Sequence, residues 1–122
     1  MLMTKISQSD TAAPLPEDDA VAAFAALANK DRLAAFRLIL TAMPEGLPSG
    51  QIASELSIAP TRMSFHLATL ERAHLLTAQR EGRVVRYAIA PQTMRGLLRF
   101  LTEDCCSGDP TLCQGLNPFS SC

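Results

Sequence analysis

The sequence predicts a mainly helical fold carrying one β-hairpin. Three observations support this. Apolar residues recur at helical spacing in five stretches. Two of those stretches are separated by only three residues, Ser57-Ile58-Ala59. One further stretch, residues 76–90, alternates apolar with polar and is interrupted by a glycine turn.

At 122 residues the chain reads as one domain. A domain of this size buries only about two-thirds of its surface, so dimerisation would help it. Hydrophobic residues make up 48% and charged residues 19%, the balance of a folded globular protein. Residues 1–16, with Pro14 and Pro16 among small polar residues, read as a flexible arm.

The elements follow in order. Glu17, Asp18 and Asp19 suit a helix N-terminus, where the dipole favours negative charge. Val21, Phe24, Leu27 and Ala28 give that first helix an apolar stripe. Asn29 can end it, and Asp31 falls in the first turn of a second helix lined by Leu33, Phe36, Ile39 and Leu40. Met43-Pro44-Glu45-Gly46 stops the second helix, because proline breaks the hydrogen-bond ladder and glycine accepts the turn. Ser49 is the expected N-cap of a short third helix, Gly50 to Leu56. Pro60 suits the first position of a fourth helix, whose buried face is Met63, Leu67 and Leu70. Two helices joined by so short a turn make a helix-turn-helix.

Strands are expected over Leu76–Arg80 and Arg83–Ala90, with Glu81-Gly82 as the turn. Val85, Tyr87 and Ile89 should face inward, with Val84, Arg86 and Ala88 opposite. A hairpin after a helix-turn-helix is a wing. A last helix starts near Pro91, with Met94, Leu97, Leu98 and Leu101 as its stripe. The expected fold is therefore a winged helix-turn-helix of five helices and a two-stranded wing over residues 17–104. A cysteine-rich tail follows over 105–122.

Net charge is −1, but its distribution matters more than its sum. Between Pro60 and Arg99 lie seven arginines and two acids, with further acids at both ends. That is the local basic surface a DNA-binding protein needs, although a solvated arginine-rich face would look the same on charge alone. In a helix-turn-helix the N-terminal half of the second helix enters the major groove of double-stranded DNA. With Met63 and Leu67 inward, Thr61, Arg62, Ser64, Phe65 and Ala68 can point outward. Arginine can grip guanine, Thr and Ser can bond bases or phosphates, and an apolar group can touch a thymine methyl. Phe65 meets either DNA or a neighbouring helix. His66 borders the buried face and reads as a hydrogen-bonded structural histidine at the edge of this set. On the wing, Arg80, Arg83 and Arg86 are expected phosphate or minor-groove contacts. His74 falls in the turn after the helix and reads as a C-cap.

Together these runs resemble the ArsR/SmtB family of metal-responsive repressors. The resemblance rests on Phe24-Ala-Ala-Leu-Ala-Asn-Lys-Asp-Arg-Leu, Ser49-Gly-Gln-Ile-Ala, Ala59-Pro-Thr-Arg-Met-Ser-Phe-His-Leu, Glu71-Arg-Ala-His-Leu-Leu and Arg80-Glu-Gly-Arg with Tyr87, over about residues 20–104. It implies a homodimer formed by the first and last helices, and release from an operator when inducer binds. Two departures stand out. His74 occupies a position where the family commonly has glycine, and the third and fourth helices carry no cysteine.

All four cysteines lie in the last 18 residues, at 105, 106, 113 and 122. Three converging thiolates suit a trivalent metalloid, and thiolates select soft ions over Mg²⁺ or Ca²⁺. The arrangement is similar to a subgroup of that family whose As(III) or Sb(III) site is a Cys-Cys pair and a third cysteine beyond the last helix. Carried over, Cys105, Cys106 and Cys113 are the ligands, and Cys122 is a bystander. A four-cysteine Zn²⁺ site competes, but adjacent Cys105 and Cys106 are not the usual Cys-x-x-Cys half-site. A thiol redox switch also competes. Against it, Glu103, Asp104 and a helix C-terminus place negative charge near the thiols, which keeps them protonated. The tail could also be disordered sequence with reactive thiols. A metalloid carrier without DNA function is the reading from another class.

An enzyme is not expected, since there is no Gly-rich phosphate loop, no nucleophile–base set and only two histidines. The N-terminal sequence has no apolar core of signal-peptide length, and no run reaches the ~20 apolar residues of a membrane span. The expected compartment is the cytoplasm, where thiols stay reduced.

Overall fold

A computed structural model describes residues 15–107, with side chains described to Thr102. The described residues divide into two compact units: residues 21–90, and residues 15–20 together with 91–107. The helix α1 (Glu17–Leu27) runs from the second unit into the first.

Within residues 21–90 the order is α2 (Lys30–Leu40), β1 (Leu47–Pro48), α3 (Ser49–Leu56), α4 (Pro60–Arg72), β2 (Leu76–Glu81) and β3 (Val84–Ile89). Asn29 caps α2. Its side-chain oxygen accepts from the backbone N–H of Asp31 (3.0 Å) and of Arg32 (3.1 Å). It thus starts the second helix as much as it ends the first. Ser49 is not the N-cap expected of it. The helix already includes Ser49, Pro48 stands at the cap position, and no side chain caps this end.

The expected wing is present, with two revisions. The turn is Gly82-Arg83 rather than Glu81-Gly82, because Glu81 pairs with Val84 across the ladder. Gly82 has φ +66, the backbone that glycine supplies at the first position of a tight hairpin turn. The second revision is a third strand. β1 pairs antiparallel with β3, Leu47 opposite Tyr87 and Pro48 opposite Arg86, so β3 is central in the order β1-β3-β2. Pro48 is tolerated because β1 is an edge.

The core of this unit is built by periodicity. Met63, Leu67 and Leu70 of α4 are fully buried, as are Ile39 of α2 and Ile52 of α3. Each such side chain contributes about 1.5–3 kcal/mol through removal from water. Tyr87 and Ile89 enter from the inner face of β3.

The α3–α4 corner and the end of α4 close with left-handed residues. Ser57 has φ 55 and His74 has φ 65. After α4, the His74 N–H donates to the Glu71 carbonyl (2.9 Å) and the Leu75 N–H to the Leu70 carbonyl (3.0 Å). This paired closure normally carries glycine at the left-handed position.

In the other unit, α5 (Pro91–Ser107) is the longest helix. The Leu15 N–H donates to the Gly96 carbonyl (3.3 Å). Leu97 is buried, whereas Leu98 and Leu101 of the same stripe are exposed.

Candidate nucleic-acid interface

The first half of α4 presents two faces. Met63 and Leu67 are buried, and Thr61, Arg62, Ser64 and Phe65 are exposed. Helix geometry requires this, because residues 63 and 67 share one face and 61, 62, 64 and 65 fall on the others. Pro60 starts the helix without losing a hydrogen bond. Phe65 stands 70% exposed, so it does not pack on a neighbouring helix of its own unit.

Arg62 is the anchored member of this face. Its Nη2 donates to Asp31 Oδ2 at 3.1 Å, with 62% of the arginine side chain still exposed. His66, one turn on, is turned inward at 14% exposure, and its Nε2 lies 3.7 Å from the same Asp31 oxygen. Asp31 joins this site only through the tertiary fold. In the sequence it is visible only as a helix-start acid, because its partner is thirty-one positions away.

The wing arginines divide. Arg80 and Arg83 are exposed near the turn. Arg86 is half-buried, and donates from Nε to Glu81 Oε1 (3.3 Å) and from Nη1 to the Gly46 carbonyl (3.3 Å). Its guanidinium therefore ties the wing to the segment before β1. Tyr87 lies beneath, and burial pushes its hydroxyl above the ordinary tyrosine range. The Glu71 carboxylate adds to this and Arg80 opposes it.

Solved structures match this arrangement. HlyU from Vibrio cholerae is 26% identical, over 75% of this chain and 99% of its own, with a TM-score of 0.58. Mb0332 from Mycobacterium bovis, a homodimeric winged helix-turn-helix DNA-binding domain, is 27% identical over 82% of this chain and 87% of its own, with a TM-score of 0.56. The fold is that of the ArsR-type winged helix-turn-helix regulators. A third neighbour, the antimony-specific transcriptional repressor AntR, covers 93% of this chain and 98% of its own at 24% identity, with a TM-score of 0.57. Mb0332, above a quarter identical, indicates a DNA-binding transcriptional regulator, a class that is not enzymatic; AntR shows the fold alone. No protein-family model matches the chain. No curated protein matches it either.

Of the expected metalloid ligands, Cys105 and Cys106 fall in the last turn of α5, and Cys113 lies outside the described residues. Among the described residues, no group of three or more His, Cys, Asp or Glu could hold a metal ion. Among them, too, no helix is long and apolar enough to cross a membrane.

Proposed function

We propose that this protein is a homodimeric transcriptional repressor that binds operator DNA through α4 and the wing, and that a trivalent metalloid, As(III) or Sb(III), releases it. The observation that carries the DNA reading is the outward first half of α4. Thr61, Arg62, Ser64 and Phe65 are presented to solvent on a helix whose other face is locked into the core. Arg80 and Arg83 add phosphate contacts from the wing.

The inducer reading rests on the donor set. Cys105, Cys106 and Cys113 supply three soft sulfur ligands within nine residues, and soft ligands fit a thiophilic guest. A regulator of the same fold, AntR, is antimony-specific, so the fold is compatible with metalloid control. Binding at the end of α5 would alter the dimer, and with it the separation of the two recognition helices. Operator half-sites demand about 34–36 Å between those helices, so a small change weakens binding.

The test is a fluorescence-anisotropy titration on the DNA upstream of the protein's own gene, with and without arsenite, for wild type and Cys106→Ser. Arsenite should release the wild type and leave the variant bound. A wild type that holds DNA regardless of arsenite removes the As(III) reading and turns attention to Sb(III), Zn²⁺ or an oxidant. Arg62→Ala with Arg83→Ala should abolish salt-sensitive DNA binding. If the wild type itself shows no salt-sensitive DNA binding, the metalloid-carrier reading replaces the repressor; binding that survives in the variant moves the contacts to other residues.

A further inference from the structure

We infer that Asp31 is a positioning residue for DNA recognition: it holds the Arg62 guanidinium at a fixed angle over the reading face of α4 and discourages it from roaming onto phosphates. This rests on the DNA-binding reading above.

The geometry has three parts. Asp31 stands in the first turn of α2, a turn made rigid by the Asn29 cap that accepts from the Asp31 and Arg32 N–H groups. Its Oδ2 accepts from Arg62 Nη2 at 3.1 Å, across from the second helix to the reading helix. The same oxygen lies 3.7 Å from His66 Nε2, and His66 is one turn further along α4. The carboxylate therefore sits beside two consecutive turns of the reading helix.

An exposed ion pair of this kind adds little to folding stability. Its effect on recognition is larger. A guanidinium has five N–H donors, and the Asp31 contact uses one. The remaining donors suffice for a bidentate grip on guanine O6 and N7. Because Arg62 is already oriented, less side-chain freedom is lost when that grip forms. The carboxylate also offsets part of the arginine charge and repels phosphates that approach in a wrong register. Sequence-independent binding is mostly phosphate attraction, so Asp31 lowers it selectively.

The test compares operator with scrambled DNA for wild type, Asp31→Asn, Arg62→Ala and the double variant. Asp31→Asn should bind scrambled DNA about two- to fivefold more tightly. Its preference for the operator should fall about fivefold or more, since one bidentate contact sets discrimination of that order. In the Arg62→Ala background Asp31→Asn should leave the preference unchanged. With Arg62 in place, Asp31→Glu should keep part of the preference that Asp31→Asn loses. A purely structural role would instead shift the unfolding midpoint and weaken both DNAs alike. An unchanged preference in Asp31→Asn, or the same loss without Arg62, overturns the inference while leaving the repressor reading intact. A wild type that shows no preference for the operator overturns both. Nitrogen-15 NMR of the arginine side chains in the wild-type protein gives a check that needs no variant. Rotation about the Arg62 guanidinium bond should be slower than for Arg83, and equal rates overturn the inference.

Discussion

Gly46 lies directly against the backbone of Tyr87. A side chain at Gly46 would overlap the Tyr87 carbonyl oxygen and crowd the Ala88 Cβ at 2.9 Å. The neighbouring atoms are mainly strand backbone, so they cannot swing away. Gly46 also has φ +78, a conformation that costs other residues about 1–2 kcal/mol.

Gly46→Ala should therefore destabilise the fold by about 3 kcal/mol, as strain and overpacking add. The loss should appear as a lower urea midpoint. A shift below about 1 kcal/mol would mean that the segment before β1 can separate from β3 at little cost.

His74 offers the opposite experiment. It closes α4 at φ 65, where glycine would carry no Cβ penalty. His74→Gly should stabilise the protein by about 0.5–1 kcal/mol, the relief of left-handed strain less the extra freedom of glycine in the unfolded chain. Chemical denaturation of the pair of proteins decides this. Lower stability in the glycine variant would show that the imidazole makes a compensating contact.

Phe65 and Leu67 stand two positions apart on α4 with opposite duties. Phe65→Ala should change folding stability by no more than about 0.5 kcal/mol, since the ring is 70% exposed. It should weaken operator binding about tenfold. Leu67→Ala removes a fully buried side chain and should cost about 2–5 kcal/mol. Thermal melts and DNA titrations on both variants separate the two roles. A large stability loss from Phe65→Ala would contradict its assignment to the DNA face.

Tyr87 is the sole tyrosine, which makes its ionisation easy to follow by phenolate absorbance. Its folded pKa lies above the ordinary value of about 10, chiefly through burial. The folded state then holds its proton more tightly than the unfolded state. The stability tied to the neutral hydroxyl is complete below about pH 10 and is lost as pH rises through the folded pKa. Titration should give a native midpoint above the midpoint in concentrated urea. Equal midpoints would show that the hydroxyl reaches water.

Much of this molecule was legible because the signals are local. Pro60, with Met63, Leu67 and Leu70 at i, i+4 and i+7 beyond it, marks both the start of α4 and its buried face. Alternation in β3 correctly put Tyr87 and Ile89 inside. The turn slipped by one residue, because Gly82 can serve either central position of a tight hairpin turn and only the cross-strand pairing chooses. Cys105 and Cys106 could be located on a helix end from sequence, but Cys113 lies outside the described residues.

The sequence by itself determined the helices, the wing, the buried face of the reading helix and the supply of soft sulfur ligands. Each of these follows from residue type and spacing over a few turns. Only the tertiary structure decided that Leu47 and Pro48 form a third strand beside Tyr87 and Arg86, and that Arg86 ties the wing to Gly46. It likewise decided that Asp31 holds Arg62. These contacts join residues about thirty to forty positions apart. Periodicity carries no information over such distances, and which partners meet is set by how the helices and the sheet pack.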